Sequence, residues 1–166
     1  MAQVRVTVTV PALPIFSPAQ YQQTMSLELG TAMTGLVEDI ATEARTRTPV
    51  GVTGLLRASI ATRVSRGEDA VTLVRGEVFT GAQAPYAQYV EEGTRPHWPP
   101  RAPIELWAAR VLGDARLWFV VARAISRRGT AARWMLRDAL AMFRAQIQPR
   151  LQAAADRAAK RLGGQP

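Results

Sequence analysis

The chain has 166 residues, 48% of them hydrophobic and none of them cysteine, with a net charge of +8. Such a length suits one domain that buries roughly 70% of its unfolded surface, and so apolar a composition excludes a disordered chain. Without cysteine there is no disulfide scaffold, thiol catalysis or thiolate metal site, and no run of about 18 apolar residues offers a membrane span.

Gln3 to Val10 alternate β-branched and polar residues, which predicts a half-buried strand with Val4, Val6, Val8 and Val10 on one face. Pro11 and Pro14 end it, and the alternation lacks the solid apolar block of a secretory signal. Ser17-Pro18-Ala19-Gln20 has the form of a helix start: a serine cap, proline in the first turn and glutamine three residues on. The helix expected from about Pro18 to Arg47 carries Tyr21, Met25, Leu29, Met33, Leu36, Val37, Ile40 and Ala44 on one stripe. At roughly 1.5 Å per residue it spans about 45 Å, so the stripe must lie across another layer, most simply a sheet.

Pro49, Gly51 and Gly54 mark a loop. Two β-rich stretches follow, Leu56 to Ser65 and Ala70 to Thr80, with Gly67-Glu68-Asp69 as a hairpin connection. After a loop at Gly81 to Pro85 comes Tyr86-Ala87-Gln88-Tyr89-Val90-Glu91, expected to leave the sheet at Gly93. Gly93 to Pro103 holds four prolines and reads as an extended surface loop, where assembly contacts tend to sit. Helical spacing returns through Ile104, Leu106, Trp107, Val111 and Leu112 to Gly113, then from Asp114 as a cap to about Arg128. Gly129-Thr130 interrupts before a last helix over about Ala131 to Leu162, with Trp134, Leu136, Leu140, Phe143 and Ile147 as apolar members. Pro149 should kink or split it. The order argues for an α+β fold: a long N-terminal helix packed on a small antiparallel β-sheet, followed by C-terminal helices.

Residues 101–166 carry 13 basic and 4 acidic groups, and all basic residues of the chain but Lys160 are arginine. A basic end of this kind fits contact with nucleic acid or an acidic protein surface, or arginines on the polar faces of alanine-rich helices. Trp98, Trp107, Trp118 and Trp134 stand beside arginines, a mixture that can stack single-stranded nucleic acid. The last three also fall on helical stripes, where core or subunit packing is the better account. For chemistry, His97 is the single histidine, the neighbours Glu68-Asp69 and Glu91-Glu92 do not form a pair across a substrate, and no glycine-rich phosphate loop occurs. No residues present themselves as catalytic, metal-binding or cofactor-binding.

Three ordered segments carry a resemblance. They are Thr48-Pro49-Val50-Gly51-Val52-Thr53-Gly54-Leu55-Leu56-Arg57-Ala58-Ser59-Ile60, then Tyr86-Ala87-Gln88-Tyr89-Val90-Glu91-Glu92-Gly93-Thr94, then Ile125-Ser126-Arg127-Arg128-Gly129-Thr130. Over about residues 30–145 the chain resembles the tail-completion and head–tail joining (neck) proteins of tailed bacteriophages, including minor tail protein Z-like members. It departs from them at Gly51-Val52, where an acidic or polar residue is common.

The resemblance implies a non-enzymatic virion protein, made in the host cytoplasm, that forms a ring, commonly sixfold. The ring lies between portal–connector complex and tail tube, around the path of the genome. Its implied partners are further copies, the tail terminator, the tail tube and the connector, with no cofactor and no membrane. The organisation expected is one α+β domain over 1–148 and a basic helical extension over 149–166. Residues 1–14 form a strand arm able to add to a neighbour's sheet, and 93–103 form the proline-rich loop. Gly54 and Gly93 can supply positive φ, and Gly129 marks a third break. Arg57 and Glu91 either pair across neighbouring strands or stay solvated, and Tyr86 and Thr94 complete the turn set. Pro96, His97, Trp98, Pro99 and Pro100 are candidate interface residues. Arg127, Arg128, Arg133 and Arg137 are candidate contacts for DNA or an acidic partner. The alternative is a free-standing basic DNA-binding protein, supported by a pI of 11.3 but lacking a recognisable reading motif.

Overall fold

The computed structural model describes residues 4–11, 19–66 and 72–163. The Ser17-Pro18 start and the Gly67-Glu68-Asp69 connection lie outside them. The elements are β1 (Arg5–Pro11), α1 (Ala19–Arg47), α2 (Leu55–Ala58), β2 (Ile60–Arg66), β3 (Thr72–Thr80), α3 (Ala87–Glu92), α4 (Arg101–Trp107), α5 (Trp118–Arg128) and α6 (Met135–Gly163). A π-helical stretch (Ala108–Leu112) and a 3-10 turn (Ala115–Leu117) join α4 to α5. The fold is α+β, with a three-stranded antiparallel sheet in the order β1-β3-β2.

Contacts divide the chain into two compact units. The first, a helix-and-sheet unit, comprises Arg5–Ala44, Ala61–Phe79 and Leu136–Pro166. Its core is the stripe of α1, where Leu29, Met33, Leu36, Val37, Ile40, Ala41 and Ala44 are buried. β1 pairs with β3 so that Val6 faces Val78 and Val8 faces Gly76. The missing side chain of Gly76 admits α1, since a Cβ there would meet Met33 Sδ at 2.6 Å and Val37 Cγ1 at 2.7 Å. On the opposite face Glu77 sits between Arg5 (3.2 Å) and Arg63 (3.8 Å). Both guanidiniums also lie over the Phe79 ring. α6 runs against the direction of α1: Arg150 pairs with Asp39, then Arg157 (3.2 Å) and Arg161 (2.6 Å) reach back to Glu28. On that same face Ala154 and Ala158 are fully buried, and such small residues let two helix axes approach closely.

The second unit comprises Met1–Val4, Arg45–Ile60 and Thr80–Met135. Its buried side chains are mostly small, such as Ala84, Ala87, Ala108 and Ala122, with Leu56, Ile60 and Met135 as the larger members.

Several sequence expectations are corrected. Leu56 does not open a strand: Gly54 at φ 69 turns the chain into the single helical turn α2, and Ile60 starts β2. Tyr86 to Glu91 is not extended; Ala84, Ala87 and Glu91 are buried at helical spacing, and Ala87 to Glu92 form α3. Arg57 and Glu91 therefore stand on α2 and α3, not on neighbouring strands. The proline-rich loop ends early, because α4 already begins at Arg101. Trp134 is not part of the last helix; it precedes α6 with φ 48. α6 continues through Pro149 without splitting. β1, expected as part of an arm able to add to a neighbour's sheet, pairs with β3 at the edge of the chain's own sheet.

Candidate functional site

The first segment folds as a closed turn system. Gly54 N–H donates to the Val50 carbonyl (3.0 Å), and Thr53 Oγ1 accepts from Leu55 N–H (3.3 Å). Arg57 Nη2 reaches back to the Thr48 carbonyl at 2.9 Å, a charge-assisted bond stronger than a neutral one. Thr48 is buried, with its hydroxyl against Met135 Sδ at 3.2 Å. Ser59 caps α2 through its own N–H, and its carbonyl accepts from Gly81 N–H at 2.8 Å.

The second and third segments meet across the chain. Thr94 and Thr130 form an isolated antiparallel bridge, flanked by Gly93 at φ 75 and Gly129 at φ 72. The next residues then turn their N–H groups onto α3. Arg133 N–H reaches the Val90 (3.0 Å) and Glu91 (3.2 Å) carbonyls, and Trp134 N–H the Glu91 carbonyl (3.1 Å). These are among the last helical carbonyls, which have no partner within their own helix. The positive φ of Trp134 belongs to this capping segment.

All three segments, distant in sequence, line one groove of about 1070 Å³ within the second unit. Pro49 to Thr53 and Leu56 form one wall; Tyr86, Tyr89, Val90, Gly93 and Thr94 form another. Pro96, His97, Pro99, Ile104, Trp107, Ile125, Thr130, Ala131 and Arg133 complete it. Val50 (54%), Tyr86 (41%) and Tyr89 (61%) are exposed at its surface. A groove walled by aromatic, proline and aliphatic side chains with a polar rim has the composition of a protein-docking site. Among the described residues no cluster of three or more His, Asp or Glu side chains could hold a metal ion, and no helix is long and apolar enough to cross a membrane.

The candidate residues separate accordingly. Gly93, Thr94, Tyr86, Pro96, His97 and Pro99 belong to the groove, and Gly54, Arg57 and Gly129 shape the segments that line it. His97 Nδ1 donates to the Arg95 carbonyl at 2.9 Å. Glu91 is buried on α3 and Pro100 precedes α4. Trp98 is 54% exposed and packs edge-on against Phe119 with 5.9 Å between centroids. Of the four candidate arginines, Arg127, Arg128 and Arg133 lie in the second unit and Arg137 in the first, paired with Asp138 at 3.0 Å. Val50, Val52, Trp107 and Ile125 are groove residues that sequence reasoning did not single out as a site.

The charge is distributed differently in space than along the chain. Among the described residues the second unit carries eleven arginines against four carboxylates, a net +7, while the first carries ten basic and seven acidic groups, a net +3. The basic C-terminal helix, with six of the thirteen basic residues between 101 and 166, spends Arg150, Arg157 and Arg161 on carboxylates of α1.

Residues 20–93 match the model of a protein family, HK97-gp10-like, described as "Bacteriophage HK97-gp10, putative tail-component". No curated protein and no solved structure matches the chain. The matched stretch runs from the start of α1 to Gly93 and contains the first two segments up to that glycine; the third lies beyond it. The match marks a similarity, over less than half of the chain, to a family described as a phage tail component.

Proposed function

We propose that the chain is a structural protein of the virion of a tailed bacteriophage. In this reading it forms a closed ring in the neck or at the head-proximal end of the tail, joining tail to head around the path of the DNA. Synthesis takes place in the host cytoplasm, and the partners are further copies, the tail terminator, the tail tube and the connector side of the head. The single observation that supports it best is the convergence of the three segments on one open groove lined by Pro49, Tyr86, Tyr89 and Trp107. Docking on neighbouring subunits gives the exposed Tyr86 and Tyr89 a role that an isolated chain does not. The family match over residues 20–93 points the same way. The minor tail protein Z-like likeness is the finer form of the same reading.

The DNA-binding alternative draws less support. Its basic C-terminal helix is held by Glu28 and Asp39, which leaves fewer arginines for phosphates. Native mass spectrometry of the purified chain, alone and with its phage's tail-tube protein, tests the reading. A closed ring of about six copies is expected in at least one of the two samples. A chain that stays monomeric in both, yet binds duplex DNA with an affinity that falls steeply with salt, would replace it with the alternative.

A further inference from the structure

The helical hairpin from Arg101 to Arg128 is built as though something covers it. Eleven of the thirteen large apolar side chains exposed among the described residues belong to the second unit. On the hairpin, Leu106, Val111, Leu112, Phe119 and Val120 are each between 46% and 63% exposed. Phe119 among them is preorganised: Trp98 and Trp118 both meet it edge-on, at 5.9 and 5.8 Å, and the Arg101 guanidinium lies 4.8 Å from the Trp118 ring centroid. Aromatic anchors already locked in place lose little entropy when a partner arrives.

Charge tells what the partner is. The hairpin carries six arginines and two carboxylates. Glu105 is taken by Arg101 at 3.1 Å, and Asp114 accepts from the Arg116 N–H at 2.8 Å. Arg123 lies four residues from Phe119 and three from Val120, so it shares their side of α5, and Arg123 and Arg127 are exposed. We infer that this arginine-bordered apolar face docks an acidic amphipathic surface of a different protein chain. A second copy fits poorly. Pairing the face with itself would bring two sets of arginines together. In the other unit, Glu28, Asp39, Glu77 and Asp138 are already in ion pairs. Duplex DNA would satisfy the arginines and leave Val120, the most exposed of these side chains, against a polar backbone. The inference stands on the hairpin alone and survives if the ring reading fails.

The test titrates the full chain with three probes, following tryptophan emission, with sedimentation to detect self-association. The probes are a roughly 20-residue peptide with leucine on one helical face and glutamate on the other, polyglutamate of equal charge, and a DNA duplex of about 20 base pairs. The amphipathic peptide should bind tightest and shift the emission to the blue. Arg123→Glu with Arg127→Glu, and separately Phe119→Ser with Val120→Ser, should each weaken it about tenfold or more with unchanged circular dichroism. The proposal is overturned if polyglutamate or duplex binds as tightly, if no probe binds, or if neither double variant weakens the peptide. It is equally overturned if the free chain self-associates through this face and Val120→Ser abolishes that.

Discussion

Thr94 and Thr130 hold each other backbone to backbone across 36 positions of sequence. Each N–H donates to the other's carbonyl, at 3.1 and 3.2 Å, and the two hydroxyls lie 3.0 Å apart. The long loop this closes costs entropy that grows slowly with length, while each hydrogen bond contributes a net of about 1 kcal/mol. The bridge therefore depends on how closely the two backbone segments can approach. Gly93 and Gly129 set that distance: a Cβ at Gly93 would press on the Thr130 carbonyl and the Ala132 nitrogen, and one at Gly129 on the Thr94 carbonyl.

Three glycines at similar φ should thus behave differently. Gly54→Ala meets open space and should cost only the left-handed strain, about 1–2 kcal/mol. Gly93→Ala and Gly129→Ala add a backbone overlap and should cost about 1–3 kcal/mol more. Urea unfolding midpoints of the three variants check this ordering, and equal losses would refute it.

Gly76→Ala should destabilise the helix-and-sheet unit by about 1–3 kcal/mol, because its new methyl collides with Met33 and Val37. In a double-mutant cycle with Val37→Ala the two losses should not add, since the smaller side chain makes room. Additive losses would show that the overlap is relieved elsewhere.

Glu28 is nearly buried, with its side chain 10% exposed and two arginines upon it. Those arginines are 53% and 69% exposed, so solvent screens much of the attraction. Glu28→Gln should therefore lower global stability by about 1 kcal/mol or less. The larger effect should be local, with faster amide exchange in the last turns of α6. Protection unchanged there would mean that Ala154 and Ala158 alone hold the helix end.

Tyr89 and Val50 lie at the groove surface, 61% and 54% exposed. Tyr89→Ala with Val50→Ser should leave the unfolding midpoint within about 0.5 kcal/mol of the parent and still prevent subunit assembly. Assembly undiminished in a native mass spectrum would move the contact away from the groove.

The long helix and the sheet were legible because they repeat. Leu29, Met33, Leu36, Val37 and Ile40 recur at helical spacing and are buried, and Val4, Val6 and Val8 alternate with the more exposed Arg5, Thr7 and Thr9. α3 was missed because Tyr86, Tyr89 and Val90 favour strands on propensity, whereas the deciding residues were the small buried Ala84 and Ala87. α2 is one turn, too short to show any period. The groove was legible only as three separate motifs. Its walls depend on the Thr94–Thr130 bridge and on Trp134 at φ 48, and neither leaves a periodic trace. The charge shows a related limit of the linear view: the excess of residues 101–166 is real in sequence, while in space the ion pairs of Arg150, Arg157 and Arg161 to α1 offset part of it.

The bridge also gives the chain a cassette. Everything between Thr94 and Thr130 leaves and returns through two adjacent points, and the family match stops at Gly93, one residue before the exit. Substitution, lengthening or exchange of that excursion can change what the protein grips while the two threonines keep the rest in register. On the reading proposed above, the choice of assembly partner can then change with that excursion while the bridge itself stays as it is.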